Sequence, residues 1–181
     1  MVHETPDKIS VAIPRMPDAD ALLPYLRRID AARYYSNFGP LVEEFEVRIA
    51  GGFKLTPACV TTVASATVAL TLALRVAAPP PGAFCMMPSW TFSASAHAAR
   101  EAGLRPFFVD VAHESWALTP EIARAALAGA PGRVAAVLPV APFGAPIDYD
   151  RWDRFAEDTG IPVVIVAAAA FDTARPGRAP V

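Results

Sequence analysis

The 181-residue sequence lacks any excess of one charge: 16 lysines and arginines stand against 18 aspartates and glutamates, a formal net charge of −2 with no basic stripe. Nucleic acid and anionic membrane, which are bound through clustered positive charge, are thereby excluded as main partners, leaving a small molecule or another protein. Cysteine is scarce. Cys59 and Cys85 are the only two, and they lack metal-ligand spacing, so no metal site is expected and both read as buried free thiols. Long apolar runs are missing too: 63–74 and 161–171 are too short to span a bilayer, and the N-terminal Met1-Val-His-Glu-Thr-Pro-Asp-Lys8 has no apolar core of a leader. The cytoplasm is the expected location. No internal repeat or low-complexity tract occurs. The most telling absence lies in Ile161-Pro-Val-Val-Ile-Val-Ala-Ala-Ala-Ala-Phe171. This run reads as a buried central strand of a parallel sheet, whose carboxyl end, 166–169, is where functional side chains emerge. Nothing there can take or give a proton.

What is present is apolar and regularly punctuated. A hydrophobic content of 54% can bury a core large enough for one domain, or most of one. A first helix is expected over 20–32, with Pro24 tolerated in its first turn. After the loop 34–40, Pro40 opens a second helix with Val42, Phe45 and Ile49 on one face, ended by Gly51-Gly52. From Ala58 on, strand-like runs at 58–63, 84–87, 105–111, 134–140 and 162–166 alternate with helices. The first of these helices, 65–74, reads as buried, and the second covers 92–102. The next is capped by Thr119, with Pro120 and Glu121 in its first turn and Gly129 beyond its end. The last is capped by Asp148 and closed by Gly160, with Tyr149, Trp152 and Ala156 on one face. The pattern specifies an α/β fold, a three-layer, mostly parallel sheet. Its expected organisation is an N-terminal helical segment, 1–57, followed by an α/β domain, 58–181, that folds as one unit.

Few residues in this frame carry chemistry. Ser65 and Thr67 stand at a strand-to-helix junction, where backbone N–H groups and the helix dipole favour a phosphate; a plain hydroxyl cap is the simpler reading. Trp90 follows the strand at 84–87 and offers a flat ring at the carboxyl end of the sheet, either for stacking a ligand or for core packing. His97 reads as a packed histidine. Asp150, Asp153, Glu157 and Asp158, with Arg151 and Arg154, read as the solvated face of one helix. Asp172 falls in the loop after the last strand.

Four segments together carry a resemblance: Tyr35-Ser-Asn-Phe-Gly-Pro-Leu-Val-Glu-Glu-Phe45, Ala64-Ser-Ala-Thr-Val-Ala-Leu-Thr-Leu-Ala-Leu74, Met87-Pro-Ser-Trp-Thr-Phe92 and Leu138-Pro-Val-Ala-Pro-Phe-Gly-Ala-Pro146. In their order and spacing they resemble the DegT/StrS family of sugar aminotransferases, over about 11–173. The resemblance implies part of the large domain of the aspartate aminotransferase-like fold and pyridoxal phosphate as cofactor. Ser65, Ala66 and Thr67 would lie at its phosphate, with Ala66 where the family has glycine, and Trp90 would stack on its ring. Val166 stands where the family has the aspartate that keeps the pyridine nitrogen protonated, and Ala169 where many members have a polar residue near the ring hydroxyl. The family's Schiff-base lysine has no counterpart, since Lys8 and Lys54 are the only lysines and neither matches its position.

These substitutions imply that the chain is non-catalytic by itself, with no catalytic residue to name, and acts by self-association or association with an aminotransferase homologue. The alternative is part of a nucleotide-sugar aminotransferase whose lysine comes from another polypeptide. The implied sheet places 84–87 between 105–111 and 134–140, with 162–166 next and two further strands between it and 58–63. Without those two, either 58–63 moves beside 162–166 or a partner chain fills the space. A homodimer or larger assembly is the expected outcome.

Overall fold

The computed structural model describes residues 14–174, which form two compact units divided between Thr61 and Thr62. Lys8 lies outside the described residues. In the first unit, α1 (Ala19–Ala32) starts at Asp18, whose Oδ1 accepts the Ala21 N–H at 2.8 Å, satisfying one of the donors that a helix start leaves over. Pro24 sits in the second turn rather than the first; it only withholds the N–H that would reach the Asp20 carbonyl, and the helix continues through it. Tyr34 donates its hydroxyl to the Asn37 carbonyl at 2.7 Å, and a Cβ on Gly39 would come within 2.9 Å of the Tyr34 ring, so glycine closes this turn. Then α2 (Pro40–Gly52) begins with proline at its first position, where no N–H is missed. Arg28 of α1 pairs with Glu44 of α2, and Arg48 joins the same carboxylate at 2.6 Å.

The strand expected at 58–63 does not form. Pro57–Cys59 makes a 3-10 turn instead, with Cys59 N–H on the Thr56 carbonyl and Val60 N–H on the Pro57 carbonyl, both at 3.0 Å. No ladder is recorded for 58–63 among the described residues, and at its start local proline geometry decides the backbone. Cys59 is consequently exposed, not buried.

The second unit is built of βα repeats: α3 (Ala66–Val76), β1 (Phe84–Pro88), α4 (Ser93–Glu101), β2 (Arg105–Val109), α5 (Pro120–Leu127), β3 (Val134–Val137) and α6 (Tyr149–Thr159). The three strands run parallel in the order β2-β1-β3. Residues 162–166 continue the sheet beyond β3 through single bridges, Val137 to Val163 and Val140 to Val166. They are bridges and not a full ladder because Pro139, which interrupts the run, has no N–H to give. The two faces alternate as a pleat requires. Cys85, Met87, Leu138 and Val164 pack with Leu70, Leu74, Ala98 and Ala99 of α3 and α4. Phe84, Met86, Val137 and Val163 pack with Ala123, Trp152 and Phe155 of α5 and α6. Each large side chain so buried contributes about 1.5–3 kcal/mol. The chain thus has the expected three-layer α/β architecture. The helix α3 differs from its reading in burying one face only, Leu70 and Leu74, while Val68 and Leu72 stay exposed.

Candidate functional site

At the start of α3, Ser65 is in extended conformation and its Oγ accepts the Val68 N–H at 3.3 Å. The first-turn amides of Ala66 and Thr67 have no acceptor within their own helix, which is the general condition for an anion site. Thr67 is half-buried, and its carbonyl accepts the Thr71 hydroxyl at 2.9 Å. Ser65 therefore acts as the cap, as the simpler reading has it.

Trp90 emerges one residue after Ser89, whose N–H still extends the sheet to the Val109 carbonyl at 2.7 Å. Two further rings meet it. The Trp116 ring lies 4.8 Å from it, centroid to centroid, inclined by 75°, and the Phe143 ring lies 5.9 Å away at 43°. Trp116 and Phe143 are themselves 6.2 Å apart at 71°. The three rings come from the loops that follow β1, β2 and β3, so the carboxyl edge of the sheet gathers them. Trp116 and Phe143 were not singled out from the sequence. The available signal was their position, since both lie just past a strand's carboxyl end, where Trp90 lies.

Val166 is half-buried against the core face shared with α3 and α4. Its N–H goes to the Pro139 carbonyl at 2.8 Å, and its carbonyl accepts the Ala141 N–H at 2.9 Å. Ala169 abuts the turn Pro142–Gly144: Gly144 has φ +83°, and a Cβ there would stand 2.6 Å from the Ala169 carbonyl oxygen. Val166, Ala169 and the turn carrying Phe143 are thus brought together, and Phe143 links them to Trp90. His97 is exposed rather than packed, and no group of three metal-ligating side chains occurs among the described residues. On α5 and α6 the charged residues do form a solvated face, with Arg151 on Glu121 at 2.5 Å and Arg124 on Asp158 at 2.9 Å. The hydrogen bond from Arg151 holds the Glu121 carboxyl below its ordinary value.

Residues 18–179 match the DegT/DnrJ/EryC1/StrS aminotransferase family. This chain belongs to that family. It is 32% identical over 167 residues to Protein Rv3402c of Mycobacterium tuberculosis, covering 91% of this chain and 40% of that one. It is 31% identical over 142 residues to the UDP-2-acetamido-2-deoxy-3-oxo-D-glucuronate aminotransferase of Pseudomonas aeruginosa, covering 77% of this chain and 38% of that enzyme. The structure of DesI in the presence of its TDP-sugar product superposes with a TM-score of 0.74 at 34% identity, over 92% of this chain and 41% of that one. The chain spans about 40% of the length of these relatives.

For a DegT-family chain the group to test is pyridoxal phosphate. The start of α3 suits a phosphate and Trp90 offers a ring face, but Val166, where the resemblance implies the carboxylate that would accept from the pyridine nitrogen, is an isopropyl group with no acceptor to offer. These residues do not fit the group as a resident catalytic cofactor.

Proposed function

We propose that this DegT-family chain does not transaminate by itself, and that it acts by association with a second copy or with a homologous aminotransferase. The observation that carries this reading is Val166. Transamination on this cofactor needs a carboxylate that keeps the pyridine nitrogen protonated. A protonated nitrogen buried against valine would be uncompensated, at a cost on the order of several kcal/mol. A further polypeptide could bring a lysine, but it could not place an acceptor where a packed valine already stands.

Association is supported by the sheet edge. Val164 and Val166 donate their N–H groups to the β3 side, at 2.9 and 2.8 Å, so the alternating amides of Val163 and Ile165 belong to the opposite edge. No ladder on that edge is recorded among the described residues. Two measurements test the reading. Borohydride reduction in the presence of pyridoxal phosphate and glutamate should trap no adduct at a defined residue; specific labelling of Lys54 or Lys8 would overturn the first half. Sedimentation should give a dimer or larger assembly with slow hydrogen exchange at Val163 and Ile165. A monomer in which both exchange freely would overturn the second half.

A second reading is that the chain is one part of a nucleotide-sugar aminotransferase whose lysine another polypeptide supplies. The phosphate-compatible start of α3 and the exposed Trp90 ring favour it. Restored glutamate-dependent turnover on mixing with such a polypeptide is the outcome that would select it.

A further inference from the structure

We infer that a cavity at the amino edge of the sheet is a binding site for a free aliphatic α-amino acid, with Arg133 on its carboxylate and the ends of α3 and α6 on its ammonium. The cavity measures about 320 Å³ and is lined by 77–80, 133–135 and 159–162. These segments lead into β1, into β3 and into the run 162–166. The site therefore lies where the strands begin, whereas Trp90 stands where β1 has ended, and it does not depend on the association reading. Small-molecule sites occupy roughly 300–1,000 Å³. This one is at the small end, the scale of a single amino acid.

Arg133 is the one charged residue of the lining. Its backbone is fixed at the start of β3: a Cβ on Gly132 would come within 2.9 Å of the Phe84 ring, and the Arg133 carbonyl accepts the Phe84 N–H at 2.8 Å. The side chain is not used in the same way. Arg28, Arg48, Arg124 and Arg151 each hold a carboxylate, but among the described residues no ion pair or hydrogen bond of the Arg133 guanidinium is recorded, and the residue is exposed. A guanidinium without a partner presents a planar fork of donors that matches a carboxylate.

The opposite preference comes from the backbone. α3 ends at Val76 and α6 at Thr159, and the residues at both ends belong to the lining. The last carbonyls of a helix lack an N–H partner and carry the negative end of its dipole. At α6 a proline keeps them so: the fourth residue after Asp158 is Pro162, which has no N–H to give. Among the described residues no N–H is recorded on the carbonyls of Thr159, Gly160, Ala77 or Ala78. The Thr159 hydroxyl is already used, donating to the Phe155 carbonyl at 2.7 Å and accepting the Ile161 N–H at 3.2 Å. Ala78 holds left-handed backbone, φ 45°, an unfavourable conformation of the kind that gathers at binding sites. An ammonium suits such carbonyls, and a bare carboxylate is repelled by them. An α-amino acid carries both charges on one carbon, so it can meet the guanidinium and the helix ends together. The other lining side chains, among them Ala135, Ile161 and Pro162, are apolar, which selects an aliphatic side chain.

The test is an NMR titration of the full chain with L-leucine, followed at the backbone amides of Arg133, Ala135 and Gly160. These should shift together and saturate, while those of Trp90 and Val166 stay in place. Isocaproate, which is leucine without its ammonium, and isoamylamine, which is leucine without its carboxylate, should each bind at least about tenfold more weakly, the share of one charged hydrogen-bonding group. Arg133→Gln should weaken leucine by a similar factor and leave isoamylamine unchanged. The variant keeps the backbone bond to Phe84, and the comparison of the two analogues needs no variant at all. Three results would each overturn the inference: no saturable shift at the three amides, either analogue binding as tightly as leucine, or Arg133→Gln leaving leucine binding unchanged.

Discussion

The unit up to Thr61 and the unit from Thr62 on spend apolar side chains in opposite ways. In the first, α1 buries no residue and α2 buries only Ala50, while Leu26, Phe45 and Val47 are more than half exposed. In the second, two clusters of buried residues sandwich the sheet, and Leu74, Met86, Met87, Val137 and Leu138 are fully buried. Both units contain side-chain-capped helices, by Asp18 in the first and by Ser65, Thr119 and Asp148 in the second, so local signals do not account for the difference. What differs is the second layer, because a sheet gives each helix a surface that accepts its apolar face, whereas a lone helix pair offers only a seam.

The two cysteines give the largest expected contrast. Burial pushes the Cys85 thiol up to about 12, so roughly one part in ten thousand is ionised at pH 8. Cys59 should react with a thiol reagent at least a thousandfold faster, and counting one thiol in native protein and two in denaturant checks this. Equal rates would mean that the second unit opens readily. Next in size, Leu74→Ala should cost about 2–5 kcal/mol through cavity formation, whereas Leu26→Ala, at a position 54% exposed, should cost less than about 1 kcal/mol. Denaturant melts of both variants measure this, and similar losses would erase the distinction between the units. Gly144→Ala should destabilise by roughly 1–3 kcal/mol, because the left-handed backbone and the close Ala169 carbonyl both oppose a Cβ; an unshifted melting temperature would show that the turn adapts.

The smallest effect is electrostatic and belongs to the first unit. The Arg28 hydrogen bond holds the Glu44 carboxyl below its ordinary value. A carboxylate with a lowered value in the folded state contributes stability above its unfolded value, and that stability is lost as pH falls through the folded one. Acid titration followed by NMR at Glu44 should therefore show a lowered midpoint, and Arg28→Ala should raise it towards the ordinary carboxylate range, with Arg48 still paired to it. Because the pair is solvent-screened, the melting temperature should hardly move.

Much of this was legible in the residues themselves. Asp18 lies two residues before the expected start of the first helix and was not read as its cap, but Thr119, Asp148 and Gly160 were, and they cap as read, because a cap needs only the backbone of its own next turn. The strands at β1, β2 and β3 were legible because each is an apolar run bounded by turn residues. The run 58–63 had the same composition and failed. Pairing is a property of two segments, and no neighbour is recorded for it among the described residues. At the candidate site, Trp90 and the valine at 166 could be read from position along the chain. The meeting of Trp90 with Trp116 and Phe143 could not, since it joins residues of three loops far apart in sequence.

By itself, then, the sequence determined the helices with the caps at Thr119, Asp148 and Gly160, the α/β class, the family, and the absence of a proton-accepting side chain at 166. These rest on short-range hydrogen bonding, on periodicity and on residue identity. The tertiary structure alone decided the order β2-β1-β3, the exposure of Cys59 against the burial of Cys85, and the aromatic corner at the carboxyl edge. Each of those depends on which distant segments share a surface, and that is settled by parallel pairing and by burial against a second layer, which no local pattern encodes.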